Sequence, residues 1–516
     1  MMMTLLRLGA RTEAGAATRS ASQKLYVVSC DVHKAYDTVD AQHLLKMVNG
    51  LLRREDYDLR KYARVIDYSH GFMAKQMQTC EDFPPQGAFE EGFCHLNEIL
   101  VNKASSSKVQ ATAVRATLSE HLLSNLVYAY GKLYRQRVGI PQGSILSTLL
   151  CSFYLANLEV NKIFPMLNIQ HTSEATRFHV NHRKPEEEQA HCTDTRASVS
   201  PNVDPSFCGR PPLASLPTPG SGSSSGSQNQ SVILRFVDDY LYISTVEADA
   251  QNFLRIMHQG FPEYNCCMNR TKTSCNFSPT GEEGDAGDPW AADGRNLWHD
   301  GKGTAFLKWC GLLINIETFE VQADFSRLEG SALRQSVFVP QNLCRTLKDK
   351  VIWYLRIRTN NSLLWDTVVN GPTTVRLNIY QCFLVMGMKL VVLLQQMRTE
   401  AALPGIVYEA MESAQAYMIY RVGGAIRSLE QRMRDPSYGS YRNRVVKEVP
   451  RPHIRWLGLM AFLKVMRRKQ TKYRGQGGVI ERIERDLARA QFKRLPAQLA
   501  QVVDPERSDF FDRVSF

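Results

Sequence analysis

The sequence contains no C-x-x-C pair. Its twelve cysteines are scattered, and several, Cys151 and Cys310 among them, stand inside apolar runs where a free thiol packs as a small hydrophobe. A small disulfide-stapled scaffold is excluded, and a reducing compartment is expected. No internal repeat of fixed period runs through the chain. The first residues lack the apolar core of a secretory signal, and no apolar run in the text reaches the roughly 18 residues of a membrane span. The expectation is an intracellular protein with no membrane partner. Acids are the scarcer charge: 51 Asp and Glu against 63 Lys and Arg leave a formal net charge of +12 and a pI of about 9.1. That excess suits a polyanionic partner, although charge alone does not separate nucleic acid from a ribosome or a membrane surface.

What is present is ordinary globular text, 516 residues at 44% hydrophobic, enough for two or three cores. Residues 1–23 form an atypical, disordered-looking start, with Arg7, Arg11 and Arg19 against the single acid Glu13. It superficially resembles a mitochondrial transit peptide; we read it as translation begun inside a longer gene. From Lys24 the run LYVVSCD, followed by VHKAYDTVD, predicts a strand that ends in a carboxylate. Residues 45–136 mix strand-like and helix-like pieces, including the amphipathic SEHLLSNLVYAYGKLY, and read as an insertion packed outside the core. GIPQGSILSTLLCSFYLANLE, starting at Gly139, is a loop feeding a buried helix. VILRFVDDYLYIST at 232–245 predicts a tight hairpin with Asp238 and Asp239 at its tip.

Two polar stretches, 165–231 and 278–304, are low-complexity inserts; PPLASLPTPGSGSSSGSQNQ cannot bury enough apolar surface to order itself. His171, His179, His182, His191, Cys192 and Cys208 fall in the first, at spacings that fit no standard zinc site. FLKWCGLLINIETFEVQADFSR predicts another pair of strands. Beyond residue 330 the β pattern vanishes, and 331–516 reads as a helical domain.

Asp31, Asp238 and Asp239 are the residues on which chemistry would rest. Nucleotidyl transfer uses two Mg²⁺ ions about 3.5–4 Å apart, one to generate the 3′-alkoxide and one to take charge on the leaving pyrophosphate. Mg²⁺ prefers hard carboxylate oxygens, which aspartates on neighbouring strands provide. Any one aspartate at a strand end is more often a cap or a loop residue. The neighbourhood is what singles these out. DVHKAYDTV resembles motif A of reverse transcriptases, GIPQGSILSTLL their motif B′ and FVDD their motif C; NRTKTSCNF is similar to motif D and WCGLLINIETFEVQADFS to motif E. The wording of GIPQGSILSTLL and WCGLL is similar to telomerase reverse transcriptases in particular. The five motifs occur in order and cover most of residues 24–330.

The resemblance implies an α/β palm with a mainly antiparallel sheet over 24–330, followed by an all-α thumb over 331–516 that closes on the duplex. It implies RNA-templated synthesis of telomeric DNA with two Mg²⁺ ions, on a telomerase RNA template and a single-stranded telomeric DNA primer. The RNA–DNA duplex and deoxynucleoside triphosphates would be bound, at telomeres in the nucleus. Asp31, Asp238 and Asp239 would hold the metals, and Lys272 would protonate the pyrophosphate. Tyr36 would lie under the incoming sugar and exclude a 2′-hydroxyl. Gln142 and Gly143 would meet the nucleotide, and Trp309, Cys310 and Gly311 would grip the primer. Arg467, Arg468, Lys469, Lys472 and Arg474 form a basic cluster for phosphates, or equally a solvated face or import patch.

Only 30 residues precede Asp31, and they do not read as the family's fingers, RNA-binding or DNA-anchoring regions. A natural short form that binds nucleic acid or telomerase partners without catalysis, or a retroelement reverse transcriptase, are the alternatives. Nothing after residue 330 carries the acidic or zinc signatures of a ribonuclease H, endonuclease or maturase region.

Overall fold

The computed structural model describes residues 24–68, 71–79, 98–167, 231–279, 295–330, 332–338, 343–395, 403–434, 446–468 and 476–515. The first strand, β1 (Tyr26–Asp31), is buried along nearly its whole length. A short helix, α1 (Ala35–Thr38), and α2 (Ala41–Leu51) follow. Asp40 caps α2, its Oδ1 accepting from the Gln42 and His43 amides at 2.9 and 3.1 Å. Three long strands, β2 (Asp56–Tyr68), β3 (Gly71–Thr79) and β4 (Glu98–Gln110), make a separate antiparallel sheet in the order β3-β2-β4.

The segment SEHLLSNLVYAYGKLY divides: its helix, α3 (Ala111–Leu123), stops, and β5 (Leu126–Ala129) and β6 (Lys132–Arg135) form a hairpin. Tyr130 and Gly131 turn it, with φ of 52° and 76°. Two successive left-handed residues are what a two-residue hairpin turn of matching twist requires. The predicted buried helix is α4 (Ser147–Leu158), which runs on into a π turn, Glu159–Ile163.

The hairpin predicted around the paired acids is present as β7 (Ser231–Phe236) and β8 (Asp239–Ser244), and α5 (Glu247–Gln259) follows it. With β9 (Ser274–Cys275) these strands form a four-stranded sheet in the order β7-β8-β1-β9. Side chains alternate across a strand, and both faces of this sheet are covered, which explains why β1 and β8 read as continuous apolar runs. Val28, Cys30, Tyr240 and Tyr242 pack with α4 and α5 in one core, where Tyr242 stacks on Phe253 at 4.5 Å. Val27, Leu241 and Ile243 join the other core, which extends to Leu307, Ile314 and Trp365.

A second antiparallel sheet, in the order β10-β11-β12-β13, comprises β10 (Trp298–His299), β11 (Ala305–Trp309), β12 (Leu312–Asn315) and β13 (Val321–Ala323). After it the described chain is helical: α6 (Leu343–Arg358), α7 (Pro372–Gln395), α8 (Leu403–Met433), α9 (Arg451–Arg468), α10 (Gln476–Leu487) and α11 (Leu495–Val503). The architecture is an α/β domain of antiparallel sheets followed by an all-α domain.

The two domains meet along β13. Buried Asn370 accepts from the Val321 amide at 2.6 Å, and buried Asn378 accepts from Ala323 at 3.3 Å and donates to the Val321 carbonyl at 3.0 Å. Amide side chains of the helical domain thus complete the backbone pairing of an edge strand. Glu320 reaches the other way, accepting from the Gly371 amide at 2.5 Å and the Thr374 hydroxyl at 2.6 Å at the start of α7.

Helix α7 corrects the reading that no run is long and apolar enough for a membrane span. It has 24 residues and an 18-residue window of mean hydropathy 1.8, but that window is wholly buried inside the protein. A central core helix meets the same criterion because it is apolar all round.

Candidate active site

Asp31 closes β1 and Asp239 opens β8 directly opposite it. Residues opposed in this way have Cβ atoms about 4.5–5.5 Å apart. Asp238 lies in the two-residue turn that joins β7 to β8, and its carbonyl accepts from the Val32 amide at 3.2 Å. Val237, the other turn residue, has φ of 59°; for a β-branched side chain that is a strained conformation.

The electrostatics follow from crowding acids in a half-buried place. Burial, and then the mutual repulsion of Asp238 and Asp31, pushes the Asp239 carboxyl up to about 6. Asp238 is raised as well, by burial first and then by Asp31. Lys272 supplies the nearby cation: its Nζ is 2.9 Å from Asp31 Oδ2, a bond that raises the lysine above its ordinary value. A turn pinned to β1 carries Lys272. The Asn269 amide donates to the Asp31 carbonyl at 2.7 Å, and Asn269 Oδ1 accepts from the Thr271 hydroxyl at 2.7 Å.

The turn between β11 and β12 comes against the same acids. Cys310 and Gly311 have φ of 48° and 74°, so Trp309 and Leu312 pair across a tight turn. Trp309 Nε1 donates to the Asp239 carbonyl at 3.4 Å, and Cys310 Sγ lies 3.5 Å from Asp239 Oδ2. Burial and the adjacent carboxylate push the Cys310 thiol up, so it stays protonated and donates. Asp31, Asp239, Lys272, Trp309, Cys310 and Gly311 line one cleft of about 500 Å³.

Asp238, Tyr36, Gln142 and Gly143 do not line that cleft. The last three belong to a second group that laces α1 to the loop before α4 and to the first turn of α4. Tyr36 Oη is 3.3 Å from Thr148 Oγ1, Gln142 Nε2 donates to Asp37 Oδ1 at 2.8 Å, and the Ile140 amide donates to the Tyr36 carbonyl at 2.8 Å. Gly143 has φ of 86° and open space where a Cβ would be.

The proposed basic cluster is not a free one among the described residues. Arg467 pairs with Glu484 at 2.7 Å, and Arg468 donates to the carbonyls of Phe511 and Asp512. Lys469, Lys472 and Arg474 lie outside the described residues, as do residues 1–23 and the histidines and cysteines from His171 to Cys208.

Two charges passed over in the sequence stand directly behind the acids: Arg235, the one charge in VILRF, and Glu159 at the end of α4, 2.5 Å apart. A lone charge inside an apolar run was the available signal, because burial demands a partner for it.

Among the described residues no three His, Cys, Asp or Glu side chains are already gathered as a cation cage. The donor chemistry nonetheless fits a divalent cation. Asp31, Asp238 and Asp239 offer only hard oxygens, and the Asp239 carboxyl, raised by burial first and then by its acidic neighbours, is of the kind a bound cation would help keep ionised.

The fold is an α/β domain of antiparallel sheets, with three acids brought together at its strand ends, joined to an all-α domain. The particular resemblance is to telomerase reverse transcriptases. The chain is 29% identical over 458 residues to that of Arabidopsis thaliana, covering 87% of this chain and 36% of the relative. To that of Rattus norvegicus it is 26% identical over 518 residues, 95% of this chain and 38% of the relative. It thus spans little more than a third of the length of these relatives. No protein-family model matches the chain. Among solved structures, telomerase from Candida albicans in complex with a fragment of telomeric RNA superposes with a TM-score of 0.43 at 12% identity, covering 89% of this chain and 51% of that one, a likeness too loose to bear on the argument.

Proposed function

We propose that this chain supplies the palm and C-terminal helical domain of a telomerase reverse transcriptase, adding telomeric DNA to a 3′ end against an RNA template. The observation that carries the reading is the direct opposition of Asp31 and Asp239 in a cleft that also holds the Trp309–Gly311 turn, with Asp238 in the adjoining turn outside the cleft lining. Two Mg²⁺ ions held by these aspartates would activate the primer's 3′-hydroxyl and take charge on the pyrophosphate.

The remaining residues have work of their own. Lys272 holds a proton close to Asp31 and can deliver it to the leaving pyrophosphate once it turns from that carboxylate. Tyr36 presents a planar ring where a 2′-hydroxyl would have to fit, and its bond to Thr148 holds the ring against the motif B′ helix. Gln142 is oriented by Asp37, and Gly143 leaves its backbone open to close approach. Trp309, Cys310 and Gly311 hold the primer end and, through Trp309 and Cys310, fix Asp239 itself. The telomerase RNA, the telomeric single strand, the RNA–DNA duplex and deoxynucleoside triphosphates are the partners of this reading. Residence at telomeres in the nucleus follows from them.

In the complete enzyme, Asp239→Asn and Asp238→Ala are each expected to cut extension of a telomeric primer by at least about a thousandfold, since the acids act as a unit. Extension at the parent's rate by either variant would sink the assignment.

A further inference from the structure

The acidic turn is held from behind by Arg235. Its guanidinium bonds in three directions: Nε to Glu159 Oε1 at 2.5 Å, Nη2 to the Ser152 carbonyl in α4 at 3.2 Å, and Nη1 to the Val237 carbonyl at 2.8 Å. The Arg235 and Glu159 side chains are only 13% and 14% exposed. Val237 is the strained residue of the turn, and its carbonyl belongs to the peptide group that leads into Asp238. Glu159 is the first residue of the π turn that follows α4. A π turn sets side chains out of register with the helix before it, and this one carries the carboxylate that meets the arginine.

We propose that Arg235, oriented by Glu159, is a positioning residue for Asp238 and Asp239. By grasping the Val237 carbonyl it holds a turn that Val237 alone would not favour, in the one form that presents both carboxylates at the start of β8. The inference rests on the reading of those aspartates as metal-holding acids. It asks for arginine specifically. A planar fork can bond a carboxylate and two carbonyls at once, whereas a lysine ammonium on a flexible stem has no such fixed geometry. The rival role is a buried ion pair that only stabilises the fold.

The test uses the full chain and the variants Arg235→Lys, Glu159→Gln, the exchange Arg235→Glu with Glu159→Arg, and Asp239→Asn. Mn²⁺ binding is followed by electron paramagnetic resonance, and thermal melting is recorded without divalent cation. Removing support of this kind from a metal site weakens affinity about 10–100-fold, so half-saturation by Mn²⁺ should rise at least about tenfold in Arg235→Lys while cooperative melting is kept. Glu159→Gln keeps the shape of the site and should shift binding in the same direction. The two substitutions together should be no worse than the worse one alone, because they break one unit. The exchange restores opposite charges but leaves no donor on residue 235 for the Val237 carbonyl, so Mn²⁺ affinity should stay low. Parent affinity in the exchange variant would reduce the pair to an ion pair and overturn the proposal. So would parent affinity in Glu159→Gln, which decides the matter if Arg235→Lys does not fold. Parent affinity in Asp239→Asn would instead overturn the reading of the acids themselves.

Discussion

Gly139 shows how little room the site leaves. It has φ of +80°, and a Cβ added there would meet the Tyr36 carbonyl at 2.6 Å and the Asp37 Cα at 2.8 Å, both backbone. Gly139→Ala should therefore cost about 2–4 kcal/mol, read as a lower denaturant midpoint, and should displace Tyr36 and Gln142 together. Lys389 is a second test at this scale. It is buried in α7 with its Nζ 4.3 Å from the Tyr354 ring centre. Burial, and then Arg358, pushes it down from 10.5 to about 8. Between those values the unfolded chain holds a proton that the folded chain does not, so stability rises as pH climbs from about 8 towards 10.5 and carries the full penalty below it. The shift corresponds to about 3 kcal/mol, part of which the ring offsets. Lys389→Met should raise the melting temperature at pH 7 and remove this part of the rise above pH 8. The placement of Asp31 at a strand end and of Asp238 and Asp239 at a hairpin turn is legible in the text, because apolar runs stop there; only the surrounding motifs single these acids out for chemistry. The placement of Lys389 is not, since one lysine in QCFLVMGMKLVVLLQQM does not say which face of the helix it takes.

The seam along β13 is an event between elements. Asn378 meets two backbone groups of β13 and also donates to the Leu364 carbonyl at 3.2 Å. Asn378→Leu would leave buried backbone groups without partners, at about 1–3 kcal/mol each, and a fall of about 3 kcal/mol or more in unfolding free energy is expected from denaturant titration. The hairpin of β5 and β6 is the opposite case. Leu126, Tyr128 and Leu133 are 63, 72 and 69% exposed, and a two-stranded ribbon without cover is marginal in water. Its amides should exchange with deuterium far faster than those of β1 and β8, and Leu126→Thr with Leu133→Thr should leave the melting temperature unchanged. Local periodicity revealed the central strands, α4 and the helical domain. It did not reveal that SEHLLSNLVYAYGKLY breaks at Ser124, because the amphipathic pattern continues past the helix end and only Tyr130–Gly131 marks the turn. Nor could spacing show that Asn370 and Asn378 would serve a strand some 50 residues earlier; that pairing exists only once the chain is folded.

Over the whole molecule, one apolar core runs from β1 and β8 through the second sheet to Trp365 and the helices. The expected thumb is therefore joined to the sheet that bears the Trp309–Gly311 turn, and motion at that joint would have to tear a buried core. A continuous line of contacts runs from the helical domain through β13 and β12 to that turn, and from Trp309 and Cys310 to Asp239. On the proposed function the assembly would work as a caliper: one jaw would be the helical domain lying against a duplex, and the other end of the same continuous core reaches Asp239 through Trp309 and Cys310. A duplex of the wrong width, pressing on the jaw, would be registered as a misplaced carboxylate.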